Sequence, residues 1–124
     1  MSKQIKVALI GNPNTGKTSV FNALTGLKQK VGNYPGVTVD KKEGICKLSR
    51  GVKAYILDLP GTYSLNASSV DENVVIELLL NKNDKDFPDV AVVVTDVENI
   101  KRNLLLFTQI KDLKIPTILV INMS

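Results

Sequence analysis

The strongest chemical signature in the sequence lies between Gly11 and Thr18. The order Gly-Asn-Pro-Asn-Thr-Gly-Lys-Thr matches the phosphate-binding pattern G-x-x-x-x-G-K-[ST], and it stands between an apolar, strand-like segment and a helical one. A triphosphate is densely negative, so its site requires inward-facing backbone amides, a helix N-terminus and a side-chain cation. Gly11 and Gly16 permit the tight loop, and Lys17 supplies the cation. The hydroxyl of Thr18 is the predicted ligand of a Mg²⁺ ion that bridges the β- and γ-phosphates.

Later positions are predicted to reach the same phosphates. Asp58 opens a D-x-x-G sequence at the end of a predicted strand, where its carboxylate would hold Mg²⁺ through water. The N–H of Gly61, unhindered by a Cβ, would approach the γ-phosphate. Thr38 is the candidate switch threonine, with its hydroxyl on Mg²⁺ and its carbonyl on the attacking water. Taken singly, D-x-x-G can be a strand end with a turn and Thr38 a plain strand residue, but their order after the phosphate-binding loop favours the functional interpretation.

The end of the sequence points to the base of a nucleotide. Asn122 and Met123 follow a predicted strand that ends at Ile121, the place of an N-K/M-x-D element that recognises guanine. In that element Asn grips the base and Asp accepts its two N–H groups. The sequence ends at Ser124, one residue before that Asp, so guanine specificity is inferred from half a motif. We therefore expect weak nucleotide binding by this chain, because unmade contacts to the base cost specificity.

The elements that must position these residues alternate between strand and helix. Strands are predicted at 5–10, 38–48, 52–58, 90–95 and 116–121, and helices at 17–24, around 74–79 with Asp71 or a nearby serine as cap, and at 99–113. The turn at 49–51 favours an antiparallel hairpin, and 26–36 is expected to be irregular. The alternation predicts an α/β fold with three α/β/α layers and a mostly parallel sheet with one antiparallel edge strand. The phosphate-binding loop, Thr38, Asp58-x-x-Gly61 and Asn122, in this order, resemble those of small GTPases, which implies a P-loop NTPase fold. We expect a single domain over residues 1–124, incomplete at its C-terminus.

Composition is consistent with one soluble domain of 124 residues, 44% hydrophobic and 23% charged. No apolar run approaches the roughly 18 residues of a spanning helix, and no secretory signal opens the chain, so the expected compartment is cytoplasmic. The single cysteine, Cys46, has no disulfide partner, and the absence of histidine excludes an ordinary zinc site. The net charge of +4 is read as a solvated lysine-rich surface, and no nucleic-acid partner is expected.

Beyond the separate motifs, the sequence resembles the N-terminal G domain of FeoB, the bacterial ferrous iron transporters. The likeness is carried by residues 11–26, by Val-Gly-Asn-Tyr-Pro-Gly-Val-Thr-Val at 31–39, by 41–44 and by Asp-Leu-Pro-Gly-Thr-Tyr-Ser-Leu at 58–65. The resemblance implies a domain that binds GTP and GDP and slowly hydrolyses GTP with Mg²⁺. It also implies a place on the cytoplasmic face of the inner membrane, joined through a helical domain to an Fe²⁺ permease. The expected nucleotide contacts are Gly11, Asn12, Pro13, Asn14, Thr15, Gly16, Lys17, Thr18, Ser19, Gly61, Asn122 and Met123.

The resemblance also suggests a role for K⁺. Thr62 stands where Ras-like enzymes carry the glutamine that orients water, so another charge stabiliser is needed. In similar GTPases a K⁺ ion takes the place of an arginine finger, held by a P-loop asparagine that corresponds to Asn14 and by switch-loop carbonyls that correspond to Gly32 and Tyr34. The alternative for Asn14 is a loop residue that bonds its own backbone. With Lys17, Thr38 and Gly61, Asn14 completes the expected catalytic set.

Two other functions fit the same residues. One is a regulatory module whose nucleotide state controls an attached partner and whose turnover is negligible. The other is a ribosome- or RNA-associated GTPase, because some of these share Gly-Asn-Pro-Asn loops. The rate of GTP turnover compared with the rate of nucleotide release separates the regulatory module from an enzyme. The region after Ser124 would distinguish a ribosome- or RNA-associated GTPase from a transporter domain.

Overall fold

The computed structural model describes residues 3–11, 16–26, 29–34, 39–48, 51–61 and 70–122. Its strands are β1 (Lys3–Ile10), β2 (Gln29–Asn33), β3 (Asp40–Lys47), β4 (Val52–Asp58), β5 (Val90–Asp96) and β6 (Thr117–Asn122). Its helices are α1 (Lys17–Thr25), α2 (Val70–Leu80) and α3 (Ile100–Asp112). All the strands and helices predicted from the sequence are present, with ends that differ by a few residues. The predicted capping of the second helix falls on side chains outside the described residues.

Within these residues the strands form one sheet in the order β2-β3-β4-β1-β5-β6. β1 lies parallel to β4 and β5, and β6 lies parallel to β5. β3 runs antiparallel to both β2 and β4, so the predicted hairpin between β3 and β4 is confirmed. A mostly parallel sheet with an antiparallel edge region confirms the predicted fold class. Parallel neighbours place the carboxyl ends of β1, β4, β5 and β6 at one edge, where ligands of such sheets bind.

Helices cover both faces of the sheet and give it three layers. Successive residues of a strand point to opposite faces, and β1 uses both. Leu9 packs with Phe21 of α1, together with Ala54, Ile56 and Val94. Ala8 and Ile10 join the larger cluster on the other face, to which α2 contributes Val75, Leu78 and Leu79 and α3 contributes Leu106 and Ile110. β1 is therefore the central strand of the core, and the phosphate-binding loop begins directly after this buried strand.

Strand β2 is the main departure from the sequence-based expectation. The segment 26–36 was expected to be irregular, whereas Gln29–Asn33 pairs antiparallel with β3, from Gln29 opposite Gly44 to Asn33 opposite Asp40. Every residue of β2 is exposed, so its sequence carries no alternation of apolar and polar residues. Pairing with the free edge of β3 makes it a strand, and its polar side chains suit an edge position.

No helix in the ranges that the structure describes is long and apolar enough to span a membrane.

Candidate nucleotide-binding site

A cavity of about 660 Å³ opens at the carboxyl edge of the sheet. The residues that line it are Lys17, Thr18, Val39, Asp40, Lys42, Asp58, Leu59, Pro60, Gly61 and Val70. They come from the start of α1, from β3 and the residue before it, from the end of β4 with the three residues that follow, and from the start of α2. Two motifs that lie far apart in the sequence, one with Lys17 and Thr18 and the other with Asp58 and Gly61, are thus brought to one cavity.

The start of α1 leaves donors available to a ligand. Gly16 precedes the helix with φ 84°, in the left-handed region, and has no side chain to cap the first turn. Its carbonyl accepts the hydrogen bond of the Val20 N–H at 3.1 Å, so the backbone N–H groups of 17–19 have no carbonyl within the helix to bond. The side chains of Thr18 and Ser19 are exposed. A helix end of this kind attracts anions through its free N–H groups and its dipole.

Lys17 and Asp58 form a buried ion pair. The Lys17 ammonium donates a hydrogen bond to the Asp58 carboxylate and a second one, at 2.7 Å, to the carbonyl of Leu59. The two side chains are only 8% and 5% exposed. The predicted phosphate cation and the predicted metal ligand therefore neutralise each other in this structure, and two of the three N–H donors of Lys17 are engaged by Asp58 and Leu59.

Asn122 lies against the phosphate-binding loop. A Cβ built on Gly16 would clash with the Nδ2 atom of Asn122. Asn122 is placed there because β6 pairs in register with β5, with Asn122 opposite Asp96. The end of β6, where the base-recognition motif was predicted, is thus in contact with the loop predicted to hold the phosphates.

The cavity wall also contains residues that the sequence analysis missed. Asp40 and Lys42 of β3 line it, and Lys42 lies opposite Asp58 in the β3–β4 register. Once the hairpin had been predicted, its register would have placed Lys42 beside Asp58, so the signal was available. Lys42 adds a second cation to the lining, where Lys17 and Lys42 balance the carboxylates of Asp40 and Asp58.

The remaining predicted residues divide into two groups. Gly11 is buried just after β1, whereas Gly32 and Tyr34 belong to β2 and the residue after it and are not among the described residues that line the cavity. Outside the described residues lie Asn12, Pro13, Asn14, Thr15, Thr38, Thr62 and Met123. For these positions the sequence-based expectations stay predictions.

The donor atoms in the cavity suit Mg²⁺. The hydroxyl of Thr18 and the carboxylate of Asp58 are oxygen ligands, which this ion prefers. No cluster of three or more acidic, cysteine or histidine side chains forms a protein cage for a metal in the described part of the chain. Such a site fits Mg²⁺ bound by one or two protein ligands together with substrate phosphates.

Comparison with known proteins gives one consistent result. Residues 5–124 match the sequence model of the family described as "Ferrous iron transport protein B". The Fe(2+) transporter FeoB of Leptospira biflexa is 44% identical over 122 residues, and that of Methanocaldococcus jannaschii is 45% identical over 111 residues. These alignments cover 98% and 90% of this chain but 17% and 16% of the transporters. The chain thus spans about a sixth of the length of these relatives.

Solved structures agree with the sequence matches. The crystal structure of the G domain of the T. maritima FeoB transporter has a TM-score of 0.87 and 46% identity, with 95% of this chain and 71% of that chain covered. A mutant of S. thermophilus NFeoB bound to GDP has a TM-score of 0.83 and 43% identity, with 98% of this chain and 44% of that chain covered.

Proposed function

Because this chain belongs to the Ferrous iron transport protein B family, we propose that it is the nucleotide-binding part of a ferrous iron transporter and that it binds and hydrolyses GTP. The observation that carries the proposal is the convergence of Lys17, Thr18, Asp58 and Gly61 on one cavity at the start of α1. Family membership favours this function over a ribosome- or RNA-associated GTPase. The domain proposed here includes residues 1–124, which correspond to 71% of the T. maritima G domain.

Binding of the phosphates begins with the ion pair. Lys17 exchanges the Asp58 carboxylate and the Leu59 carbonyl for phosphate oxygens, and the free N–H groups of 17–19 add further donors. The released carboxylate of Asp58 and the hydroxyl of Thr18 are then the residues to hold Mg²⁺. The ion supplies compensation for negative charge that develops on the phosphates during transfer. Gly61 lines the cavity without a Cβ, so its N–H can approach the terminal phosphate.

Specificity for guanine is proposed to come from the end of β6. Asn122 would grip the base while it supports the Gly16 end of the loop, with Met123 beside it. The GDP bound to the S. thermophilus relative supports guanine as the base. Residues beyond Ser124 are needed for the Asp of the motif, so the 124-residue chain should bind GDP more weakly than the full-length protein does.

Hydrolysis is proposed to be slow and to be stimulated by K⁺. Thr38 would order on the terminal phosphate and position the attacking water, as switch segments of GTPases do. Asn14 and the carbonyls of Gly32 and Tyr34 are the proposed K⁺ ligands. In the whole protein, we propose that a helical domain and an Fe²⁺ permease follow this domain, which would lie on the cytoplasmic face of the inner membrane.

The experiment that tests this function is nucleotide binding and turnover in the full-length protein. GDP and ADP are titrated with Mg²⁺ present, and phosphate release from GTP is measured under multiple turnover. We expect GDP to bind more tightly than ADP, GTP to be hydrolysed, and Lys17→Ala to abolish binding. Lys101→Ala is the matched control, since it removes an exposed lysine of α3 away from the cavity.

Two results separate the alternatives. Tight GTP binding with nucleotide release much faster than hydrolysis would favour a regulatory module with negligible turnover. Failure of the full-length protein to bind any guanine nucleotide would refute the proposal.

A further inference from the structure

Tyr34, the residue that follows β2, is anchored outside the nucleotide cavity. Its ring packs against the larger core cluster, which is built from β1, β4, β5, α2 and α3. The hydroxyl oxygen is buried and has no hydrogen-bond partner among the residues that the structure describes. Burial, followed by the negative charges of Asp86, Asp58, Glu43 and Asp84, raises the pKa of this hydroxyl above its usual range. Tyr34 is therefore a neutral side chain held by packing of its ring.

Lys41 connects this ring to a second part of the chain. Its ammonium lies 5.8 Å from the centroid of the Tyr34 ring, within cation–π distance. The same ammonium is 2.7 Å from Oδ2 of Asp86 and 3.1 Å from Oε1 of Glu43. Partial burial lowers the pKa of Lys41, but the hydrogen bonds to Asp86 and then to Glu43 outweigh it and leave the pKa raised. The cation thus stays charged and links β3 to the connection between α2 and β5.

Local hydrogen bonds hold together the connection that carries Asp86. The Asp86 N–H donates to Oδ1 of Asp84 at 2.9 Å, and the Phe87 N–H donates to the Asp84 carbonyl at 3.0 Å. Phe87 packs against the same core cluster as Tyr34. The partner of Lys41 is therefore fixed to the body of the domain, and Lys41 and Tyr34 are held to that body together.

The backbone of Tyr34 leads directly to the cavity wall. Its N–H donates a hydrogen bond of 3.1 Å to the carbonyl of Val39, and Val39 and Asp40 both line the cavity. Asn33, just before Tyr34, lies opposite Asp40 in the β2–β3 pairing. Thr38, the proposed metal ligand, precedes Val39 by one peptide bond.

We propose that Tyr34 is a positioning residue, whose anchored ring fixes the β2–β3 hairpin end and so holds Val39 and Asp40 at the wall of the nucleotide cavity. This role belongs to the side chain and is separate from the carbonyl of Tyr34 proposed above as a K⁺ ligand. The inference rests on the proposed function, because the wall matters for catalysis only if the cavity takes a nucleotide.

The primary test compares Tyr34→Ala with Tyr34→Phe in the full-length protein. Loss of the ring should lower kcat for GTP roughly ten- to a hundredfold, because small displacements of positioning groups cost that much. KM for GTP and Kd for GDP should stay within about twofold, since Lys17 and the start of α1 are untouched. Tyr34→Phe retains the ring and removes a hydroxyl without a hydrogen-bond partner in the described part of the chain, so its loss of kcat should be much smaller than that of Tyr34→Ala. Tyr55→Ala is the matched control, as it removes a tyrosine ring of β4 that does not line the cavity.

A second measurement does not depend on turnover. In nucleotide-free protein, the amide of residue 34 is bonded to Val39, so its hydrogen exchange reports opening of the hairpin end. Exchange should be about tenfold faster in Tyr34→Ala and in Lys41→Met and unchanged in Tyr34→Phe. Absence of GTP hydrolysis in the wild-type protein would refute the proposed function and leave the exchange result to decide the positioning role. Unchanged exchange in Tyr34→Ala, or an equal loss of kcat in Tyr34→Phe, would overturn the inference.

Discussion

The buried pair of Lys17 and Asp58 gives the sharpest prediction about stability. Each side chain is more than nine-tenths buried, so replacing one partner leaves the other charge without compensation in a poorly solvated place. Removing one partner of such a pair costs about 3–5 kcal/mol. Asp58→Asn should fall at the lower end, about 3 kcal/mol, because Lys17 keeps the Leu59 carbonyl at 2.7 Å. Lys17→Met should cost about as much or more, since it leaves the carboxylate of Asp58 unpaired.

The double variant Lys17→Met/Asp58→Asn distinguishes an ion pair from two independent packing effects. With both charges gone, neither position holds an uncompensated buried charge. The double variant should therefore lose less free energy of unfolding than the sum of the two single losses, by about 2–3 kcal/mol. The measurement is urea unfolding of the 124-residue chain without nucleotide, followed by circular dichroism. Losses in the double variant that equal the sum of the single losses would refute the reasoning, because the two side chains would then not interact.

Other predictions concern backbone strain, potassium and pH. Gly16→Ala should lower the free energy of unfolding by at least about 1 kcal/mol because of its left-handed backbone, and by more because the new Cβ clashes with Asn122. Gly51 has a similar φ of 75° and open space around it, so Gly51→Ala should lose only the backbone contribution when both variants are unfolded in urea. GTP turnover by the full-length protein should be faster in KCl than in NaCl, and Asn14→Ala should remove the difference; equal rates in the two salts for the wild-type protein would refute the K⁺ site. Because the pKa of Tyr34 is raised from 10.0 in the folded state, its contribution to stability is present below about pH 10 and is lost as the pH rises above it. Tyr34→Phe should flatten this alkaline loss, and an unchanged pH profile in that variant would contradict the assignment.

The sequence predicted the fold because its strong signals are local. The loop from Gly11 to Thr18 lies between a strand and a helix, and the apolar run that became β5 is typical of a buried parallel strand. The apolar run that became β6 is also a parallel strand, but none of its residues is buried. The meeting of Lys17 with Asp58 follows from this topology, since β1 and β4 are parallel neighbours whose carboxyl ends share an edge. Local patterns and sheet rules were therefore sufficient for the centre of the site.

What the sequence did not predict depends on pairing between distant segments. β2 is wholly exposed and becomes a strand only through the edge of β3, a long-range contact without a local signature. Asp40, which lines the cavity, pairs with Asn33 of β2. Lys42 is different, because the predicted hairpin between β3 and β4 places it opposite Asp58. The anchoring of Tyr34 needs Lys41 and Asp86, which are brought together only when the connection after α2 folds onto the sheet. The expected roles of Asn14, Thr38 and Met123 stay predictions.

The internal partners of Lys17 have a consequence for which anions the domain accepts. A single inorganic phosphate that drew Lys17 away from Asp58 would leave that buried carboxylate without a partner, so it would gain little. A polyphosphate that arrives with a divalent cation satisfies both halves of the separated pair at once. Under the proposed function, the Lys17–Asp58 pair would therefore disfavour simple oxyanions and favour a polyphosphate that binds together with its metal ion.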